Sequence, residues 1–138
     1  MTDTIYNKVG SYLESLSATN IICSELGTTL AINDNVTIGF RRDSEGKDTI
    51  AIIPIPGGRP KPEGERQESG LKIEVRSSSR ERCLKVGQAF INVFSNNHLN
   101  GNGLIIPSMS NPIMIESLDG GRNSVSIVNY IIKHKKVS

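Results

Sequence analysis

Two histidines and two cysteines are the side chains of this sequence that could bind a metal or activate a nucleophile. His98 stands in an asparagine-rich connector and His134 in a basic stretch, and neither has a carboxylate or a cysteine at a spacing typical of a metal site or a catalytic pair. We expect both histidines to be solvated surface residues. We expect Cys23 and Cys83 to be reduced thiols that pack as small apolar groups, as in a reducing cytoplasm. The sequence therefore indicates no metal site, no cofactor and no enzyme.

Basic side chains raise nucleic-acid binding as a second kind of chemistry. Arginines occur as the pair Arg41 and Arg42 and again at residues 76–82, and residues 133–136 are basic. Base stacking needs exposed aromatic side chains among the charges, but the sequence has no Trp and few Tyr or Phe, most of them on predicted apolar faces. We expect the basic C-terminal tail at residues 133–138 to be solubilising. A small nucleic-acid-binding regulator is the alternative, and steeply salt-dependent binding to duplex DNA would favour it.

Residues 50–65 read IAIIPIPGGRPKPEGE, an apolar strand that runs into prolines, glycines and charges. Proline lacks the N–H that the interior of a sheet or helix needs, so the sequence predicts a loop over about residues 56–69. The loop lacks the spacing of a phosphate-binding loop, and its prolines never fall three apart as a proline-ligand motif requires. It is either an expendable excursion or a surface that touches another molecule.

Size and composition are those of an ordinary globular domain. The 138 residues are 36% hydrophobic and 22% charged, which predicts a single domain over residues 1–138. No apolar run approaches the ~20 residues of a transmembrane helix and no signal peptide is visible, so we expect no membrane partner. Residues 1–48 carry four Lys and Arg against seven Asp and Glu, whereas residues 49–138 carry twelve against seven. A mixed surface is the simpler interpretation, and charge-steered self-association is the alternative.

The spacing of apolar residues predicts an N-terminal helix and a second turn behind it. The helix spans residues 3–17, and Asp3 or Thr2 can cap its start. A short further turn over residues 20–26 ends at Gly27, because glycine adopts the left-handed conformation that stops a helix.

A longer helix is predicted in the middle of the chain. It begins at the capping-box spacing Ser78-x-x-Glu81 and ends near residues 95–97. Its apolar stripe comprises Cys83, Val86, Phe90 and Val93, widened by Leu84, Ile91 and Phe94.

Six segments have the composition of strands. The first two make a plausible hairpin, and the Asp-Gly turn at residues 119–122 closes another. The order α-β-β-β-α-β-β-β predicts an α+β fold, a mostly antiparallel sheet packed on one face by two helices. The predicted strands are residues 35–42, 49–55, 71–77, 104–108, 112–118 and 123–135.

In this order the elements resemble the tail-terminator, or minor capsid, proteins of long-tailed bacteriophages. The resemblance covers roughly residues 26–135. It includes VTIGFRRDSEGKDTIAIIPIPGGRPKP ending in a Gly/Pro loop, GLKIEVRSSS leading into the helix RERCLKVGQAFINVF, and LDGGR before a last strand with Asn129-Tyr130. The sequence departs from the family pattern in the turn RRDSEGKD, where proline–aspartate is frequent, and in its asparagine-rich connector.

The resemblance implies a structural protein of the virion tail or neck, assembled in the host cytoplasm. Such proteins form a ring, typically a hexamer, on the upper end of the tail tube, end tube polymerisation and present a surface for the head. The implied partners are further copies, the tail-tube protein and the head–tail connector or neck protein, with DNA only passing through the ring; a monomer in isolation is compatible with this role. A head-completion or neck protein, which also forms rings, is the alternative within this class.

Under this resemblance the Gly/Pro loop is expected to be the main contact element, with an idle surface loop as the alternative. Proline restricts the chain before contact, so ordering the loop costs little entropy. Truncation of residues 58–67 is expected to leave the folded chain intact and to abolish ring formation or tail joining. The predicted interface residues are Arg41, Arg42, Arg59, Lys61, Glu63, Glu65, Arg66, Glu68 and Arg122.

Overall fold

The computed structural model describes residues 4–39, 48–55, 66–95, 97–101, 103–116 and 124–135. They form the predicted α+β fold, in which helices pack on one face of a mostly antiparallel sheet. In chain order the elements are α1 (Ile5–Glu14), α2 (Ile21–Leu26), β1 (Val36–Ile38), β2 (Thr49–Ile55), β3 (Arg66–Ser77), α3 (Arg80–Val93), a 3₁₀ turn (Leu99–Gly101), β4 (Leu104–Pro107), β5 (Ile113–Glu116) and β6 (Ser124–Lys135).

The first two helices begin at polar caps. Thr4 caps α1, in place of the predicted Asp3 or Thr2, and its hydroxyl accepts a hydrogen bond from the N–H three residues later. The side chain of Asn20 caps α2, and Gly27 ends that helix with a φ of 76°. The predicted short second turn is therefore a helix of its own, and the described elements include three α-helices where two main ones were expected.

Helix α3 begins one residue later than predicted, because Ser79 rather than Ser78 is its cap. The Ser79 hydroxyl accepts a hydrogen bond from the N–H of Arg82 at 3.2 Å. Leu84, predicted to widen the apolar stripe, is 46% exposed. The stripe residues that are buried as predicted are Cys83, Val86, Phe90, Ile91 and Phe94.

The hydrophobic core lies between the helices and one face of the sheet. The ring of Phe94 is at its centre, with centroid distances of 5.5 Å to Tyr12, 5.8 Å to Phe90 and 5.7 Å to Tyr130. Alternate residues of the strands supply the sheet side of this core, as the period of two requires. They include Ile50, Ile52, Leu71, Ile73, Val75, Val128 and Ile132.

Strand β6 organises the sheet, whose order is β1-β2-β3-β6-β4 with β5 also paired to β6. Along one side β6 pairs with all of β3. Along the other side β4 pairs with its C-terminal half and β5 with its N-terminal half, both antiparallel. Strands β4 and β5 therefore form one edge that residues 108–112 interrupt.

The predicted hairpin of the first two strands is wrong. Strands β1 and β2 pair in parallel, with Val36 opposite Ile50. Strand β1 ends after three residues at Gly39, which has a φ of 88° and donates its N–H to the carbonyl of Ile52 at 2.7 Å. Alternation indicates which side chains share a face but not the direction of a strand, and the connecting residues 40–47 lie outside the described part of the chain.

Strand β3 extends further than the sequence predicts, whereas strand β6 ends at residue 135, as predicted for it. Strand β3 begins at Arg66, so residues 66–69 belong to the sheet and not to the predicted loop. Strand β6 runs to Lys135, so residues 133–135 are strand residues and not part of a solubilising tail. The predicted second hairpin is confirmed as antiparallel pairing of β5 with β6, although its turn lies outside the described residues.

Candidate interaction surface

The sheet face that points away from the helices, which we call the open face, carries apolar side chains in unusual number. An antiparallel sheet normally presents polar residues on a face that no helix covers. Strands β2 and β6 instead carry apolar residues on both faces, as strands buried on both sides do. The isoleucines of the open face include Ile53, Ile55, Ile106, Ile113, Ile127 and Ile131.

Two of these isoleucines are exposed, and the other four are half-buried or buried. Ile131 is 40% exposed and Ile113 is 47% exposed, whereas Ile127 is 9% exposed. The register explains Ile131, because its neighbour on β3 is Gly70, which has no side chain to cover it. Large aliphatic side chains exposed together on one face are typical of a surface that binds another molecule.

A charged pair lies among these isoleucines. Lys72 Nζ is 3.1 Å from Glu74 Oε1, and the two side chains are 21% and 6% exposed. Asn129 lies opposite Lys72 and Ile127 opposite Glu74, so the pair occupies the middle of the face. Partly buried charges in fixed positions favour one orientation of a bound partner over others.

Strands β3 and β6 continue together beyond the end of β2. Residues 66–69 of β3 pair with residues 132–135 of β6 after β2 has ended opposite Gly70. In this extension Glu68 lies opposite Lys133 on the open face, where opposite charges support the strand pair.

Of the predicted interface residues, Glu68 alone has a described side chain. It is half-buried in β3, so it is a strand residue rather than a loop residue. Arg66 also belongs to β3, opposite Lys135, and nothing is described of its side chain. The remaining predictions, Arg41, Arg42, Arg59, Lys61, Glu63, Glu65 and Arg122, lie outside the described residues.

His134 is not the solvated residue that we expected. It is 5% exposed, and its Nε2 lies 2.7 Å from the hydroxyl oxygen of Ser69 on the neighbouring strand. Tyr6 of α1 donates its hydroxyl to the carbonyl of Gly70 at 3.0 Å. These bonds attach Ser69 to β6 and Gly70 to the helix layer. His98 is exposed, as predicted.

Both cysteines are free and buried, as predicted. Cys83 donates its S–H to the carbonyl of Val75 at 3.1 Å. Burial raises the pKa of both thiols, and this effect outweighs the hydrogen bonds that lower it. The thiols are therefore protonated packing groups at neutral pH.

No group of three or more His, Cys, Asp and Glu side chains that could hold a metal ion occurs in the described ranges. No helix within those ranges is long and apolar enough to cross a membrane.

Sequence reasoning missed the open face, although a signal for it was present. The segments IAII at residues 50–53 and SIVNYII at residues 126–132 are apolar at odd and even positions alike. Such runs are typical of strands covered on both sides, whereas the strictly alternating residues 71–76 are typical of a half-buried strand. Counting apolar residues at the outward positions would have identified Ile131 and its neighbours.

A comparison with known protein families and with curated proteins finds no match to this sequence. The likeness to tail terminators therefore stays a resemblance based on the order and spacing of the elements.

Proposed function

We propose that this chain is a structural protein that associates with copies of itself through the open face, forming a ring on the upper end of a phage tail tube. In this role it ends tube growth and offers a joining surface to the head. The observation that carries the proposal is the exposure of Ile131 and Ile113 on a sheet face rich in isoleucine.

Burial of this face supplies the driving force for association. Complete burial of an exposed isoleucine side chain stabilises by about 1.5–3 kcal/mol, so covering the exposed parts of Ile131 and Ile113 contributes about 1 kcal/mol each. The half-buried Ile53, Ile55 and Ile106 add to this where a neighbour covers them too. A set of modest contacts suits a protein that is monomeric when dilute and associates when it is concentrated.

The ion pair on the open face is compatible with burial in an interface. Glu74 is already 6% exposed and paired with Lys72, so a neighbour that covers the pair removes little water from the carboxylate. The pair contributes more to the orientation of the neighbouring copy than to its affinity. A copy bound in a wrong orientation would place a group of the wrong charge or polarity against the pair.

Charge also favours an unlike contact between copies. The described residues 4–39 are net acidic: they contain one basic side chain, Lys8, and three acidic ones, Glu14, Glu25 and Asp34. The open face carries Lys72, Arg76 and Lys133 against Glu68 and Glu74. Contacts between two different surfaces of the same chain generate a closed ring when the rotation from each copy to the next adds up to a full turn.

Electron microscopy of phage particles made without this protein tests the proposal. Overlong tails or tails not joined to heads are the expected result. Finished tails beside unsealed heads would contradict a terminator and favour the neck-protein alternative, whereas normal particles would contradict both.

Complementation adds a test at the level of residues. A phage supplied with the Ile131→Lys chain is expected to show the same tail defect. One supplied with the Ile21→Lys chain is expected to make normal tails, because Ile21 is 54% exposed but lies on α2, away from the open face.

A further inference from the structure

Three strands border the sheet, and two of them are covered by their own chain. On β1, Val36 donates its N–H to the carbonyl of Ala31 at 3.1 Å and accepts from the N–H of Asn33 at 2.8 Å. On β4, Ile105 donates its N–H to the carbonyl of Asn97 at 2.9 Å. In the part of the chain that the structure describes, no residue pairs with the outer side of β5.

The register identifies which backbone groups of β5 point outward. Ser108 donates its N–H to the carbonyl of Asn129, so the odd-numbered residues of β6 direct their backbone groups toward this border. The outward bond of Ile105, which pairs with the even-numbered Ile132, agrees with this alternation. Residues of β5 opposite odd-numbered β6 residues therefore bond inward.

Met114 and Glu116 are consequently the outward residues of β5. They lie opposite Ser126 and Ser124, whereas Ile113 lies opposite Ile127 and bonds to β6. Their two N–H and two C=O groups form an edge that matches the backbone of one further extended strand.

Apolar side chains flank this edge on both sides of the sheet. Ile113 is exposed on the open face. On the helix side, Gln88 of α3 donates to the carbonyl of Ser110 at 3.5 Å, so this side of α3 faces the segment that leads into β5. Leu84 lies one turn before Gln88 on the same side of the helix and is 46% exposed. A strand added to β5 would contact Leu84 on one face and Ile113 on the other.

We propose that a second copy of this chain adds an extended segment to the outer side of β5, through the backbone groups of Met114 and Glu116. The inference rests on the proposed self-association. Ile113 belongs both to the open face and to this edge, so a copy that covers the open face also reaches β5. Hydrogen bonds along the edge then fix the register that apolar contacts leave undefined.

Proline substitution can block the outer edge of β5 without breaking the pairing of β5 with β6. Met114→Pro removes an outward N–H and puts a ring in the path of an added strand, while the inward bonds of β5 to β6 stay intact. Met114→Thr, which keeps the N–H and suits a strand, is the matched control. Sedimentation equilibrium over a wide concentration range measures self-association, and thermal unfolding measures the fold of each variant.

We expect the wild type and Met114→Thr to associate and Met114→Pro to associate at least roughly tenfold more weakly, a difference of about 1.4 kcal/mol. Where Met114→Pro unfolds, Glu116→Pro at the end of β5 gives the same test. Leu84→Lys is expected to weaken association as well, whereas Ile21→Lys is not, although Ile21 is also exposed.

Two results would overturn the inference: a wild type that stays monomeric throughout, or folded proline variants that associate as the wild type does. The edge and the proposed function can fail separately. A chain that ends tail growth normally with Met114→Pro would leave the function standing and remove the edge contact. If the chain formed a closed dimer that depends on the β5 edge, the edge contact would be correct, but the proposed ring could not be built on it.

Discussion

Lys72 and Glu74 lie two residues apart on β3, with Nζ 3.1 Å from Oε1, on a sheet face that no described helix covers. The carboxylate is nearly buried in the single chain, and the residues opposite the pair are Ile53 and Ala51 on β2 and Asn129 and Ile127 on β6. A charged pair in such a position contributes little net stability, because removal of both charges from water offsets their attraction. Its value to the protein is therefore in the orientation of what binds there.

Replacement of one partner of this pair is predicted to destabilise the fold more than replacement of both. Lys72→Met removes the Lys72 ammonium from beside the nearly buried Glu74 carboxylate and is expected to cost about 1–3 kcal/mol. Lys72→Met with Glu74→Leu is expected to restore stability close to the wild type. Urea unfolding of the two single variants and the double variant measures the coupling. Single effects that simply add in the double variant would contradict this account.

Tyr130 makes the fold sensitive to alkaline pH. Its hydroxyl is buried with no hydrogen-bond partner among the described residues, and burial raises its pKa above the ordinary value of about 10. The unfolded chain therefore ionises first, so this contribution to stability is complete below about pH 10 and is lost as the pH rises further. Burial raises the pKa of Tyr6, Cys23 and Cys83 in the same direction.

Tyr130→Phe is expected to equal or exceed the wild type in stability, by up to about 1 kcal/mol at neutral pH, since it removes a buried polar group without a described partner. Above about pH 10 it should lose stability less steeply than the wild type. Unfolding free energies measured across the alkaline range check both statements. An unchanged slope of unfolding free energy against pH would show that Tyr6, Cys23 and Cys83 dominate the alkaline loss. A large loss of stability at neutral pH would show that the Tyr130 hydroxyl is hydrogen-bonded.

Gly87 is predicted to be required by packing and not by helix geometry. Alanine is the better helix former by roughly 1 kcal/mol. A Cβ at this position would, however, lie 2.8 Å from the Ser126 hydroxyl oxygen and 3.0 Å from Pro112 Cβ, and such overpacking costs about 1–3 kcal/mol. Gly87→Ala is therefore expected to lower the melting temperature, whereas Gln88→Ala, one residue along on the half-buried side, should change it little. A more stable Gly87→Ala chain would contradict the close contact.

The elements that local sequence determines were predicted well. The apolar spacing of α1 and α3, the stop at Gly27 and the alternation of residues 71–76 all depend on neighbours a few residues apart. The parallel pairing of Val36 with Ile50 and the interruption between β4 and β5 depend instead on partners that the local pattern does not identify. Direction and order of strands therefore required the structure.

The interface residues predicted from the sequence are charged, and seven of the nine lie outside the described part of the chain, so that prediction stays a prediction. The described surface that is best suited to a contact consists of aliphatic side chains on the open face, which the sequence analysis did not identify. The environment of His134 was also missed, because its burial follows from pairing with β3 and from Ser69, which is sixty-five residues away in the chain. A basic stretch in sequence proved to be the end of a central strand.

The contact between copies through the open face is tested most directly by the mass of the protein assembled on tail-tube protein. The wild type and the control Ile21→Lys are expected to form a hexameric ring on the tube. Ile131→Lys, which places a charge at the exposed centre of the open face, is expected to stay folded and to form no ring. A ring of the same mass built from Ile131→Lys would contradict the account.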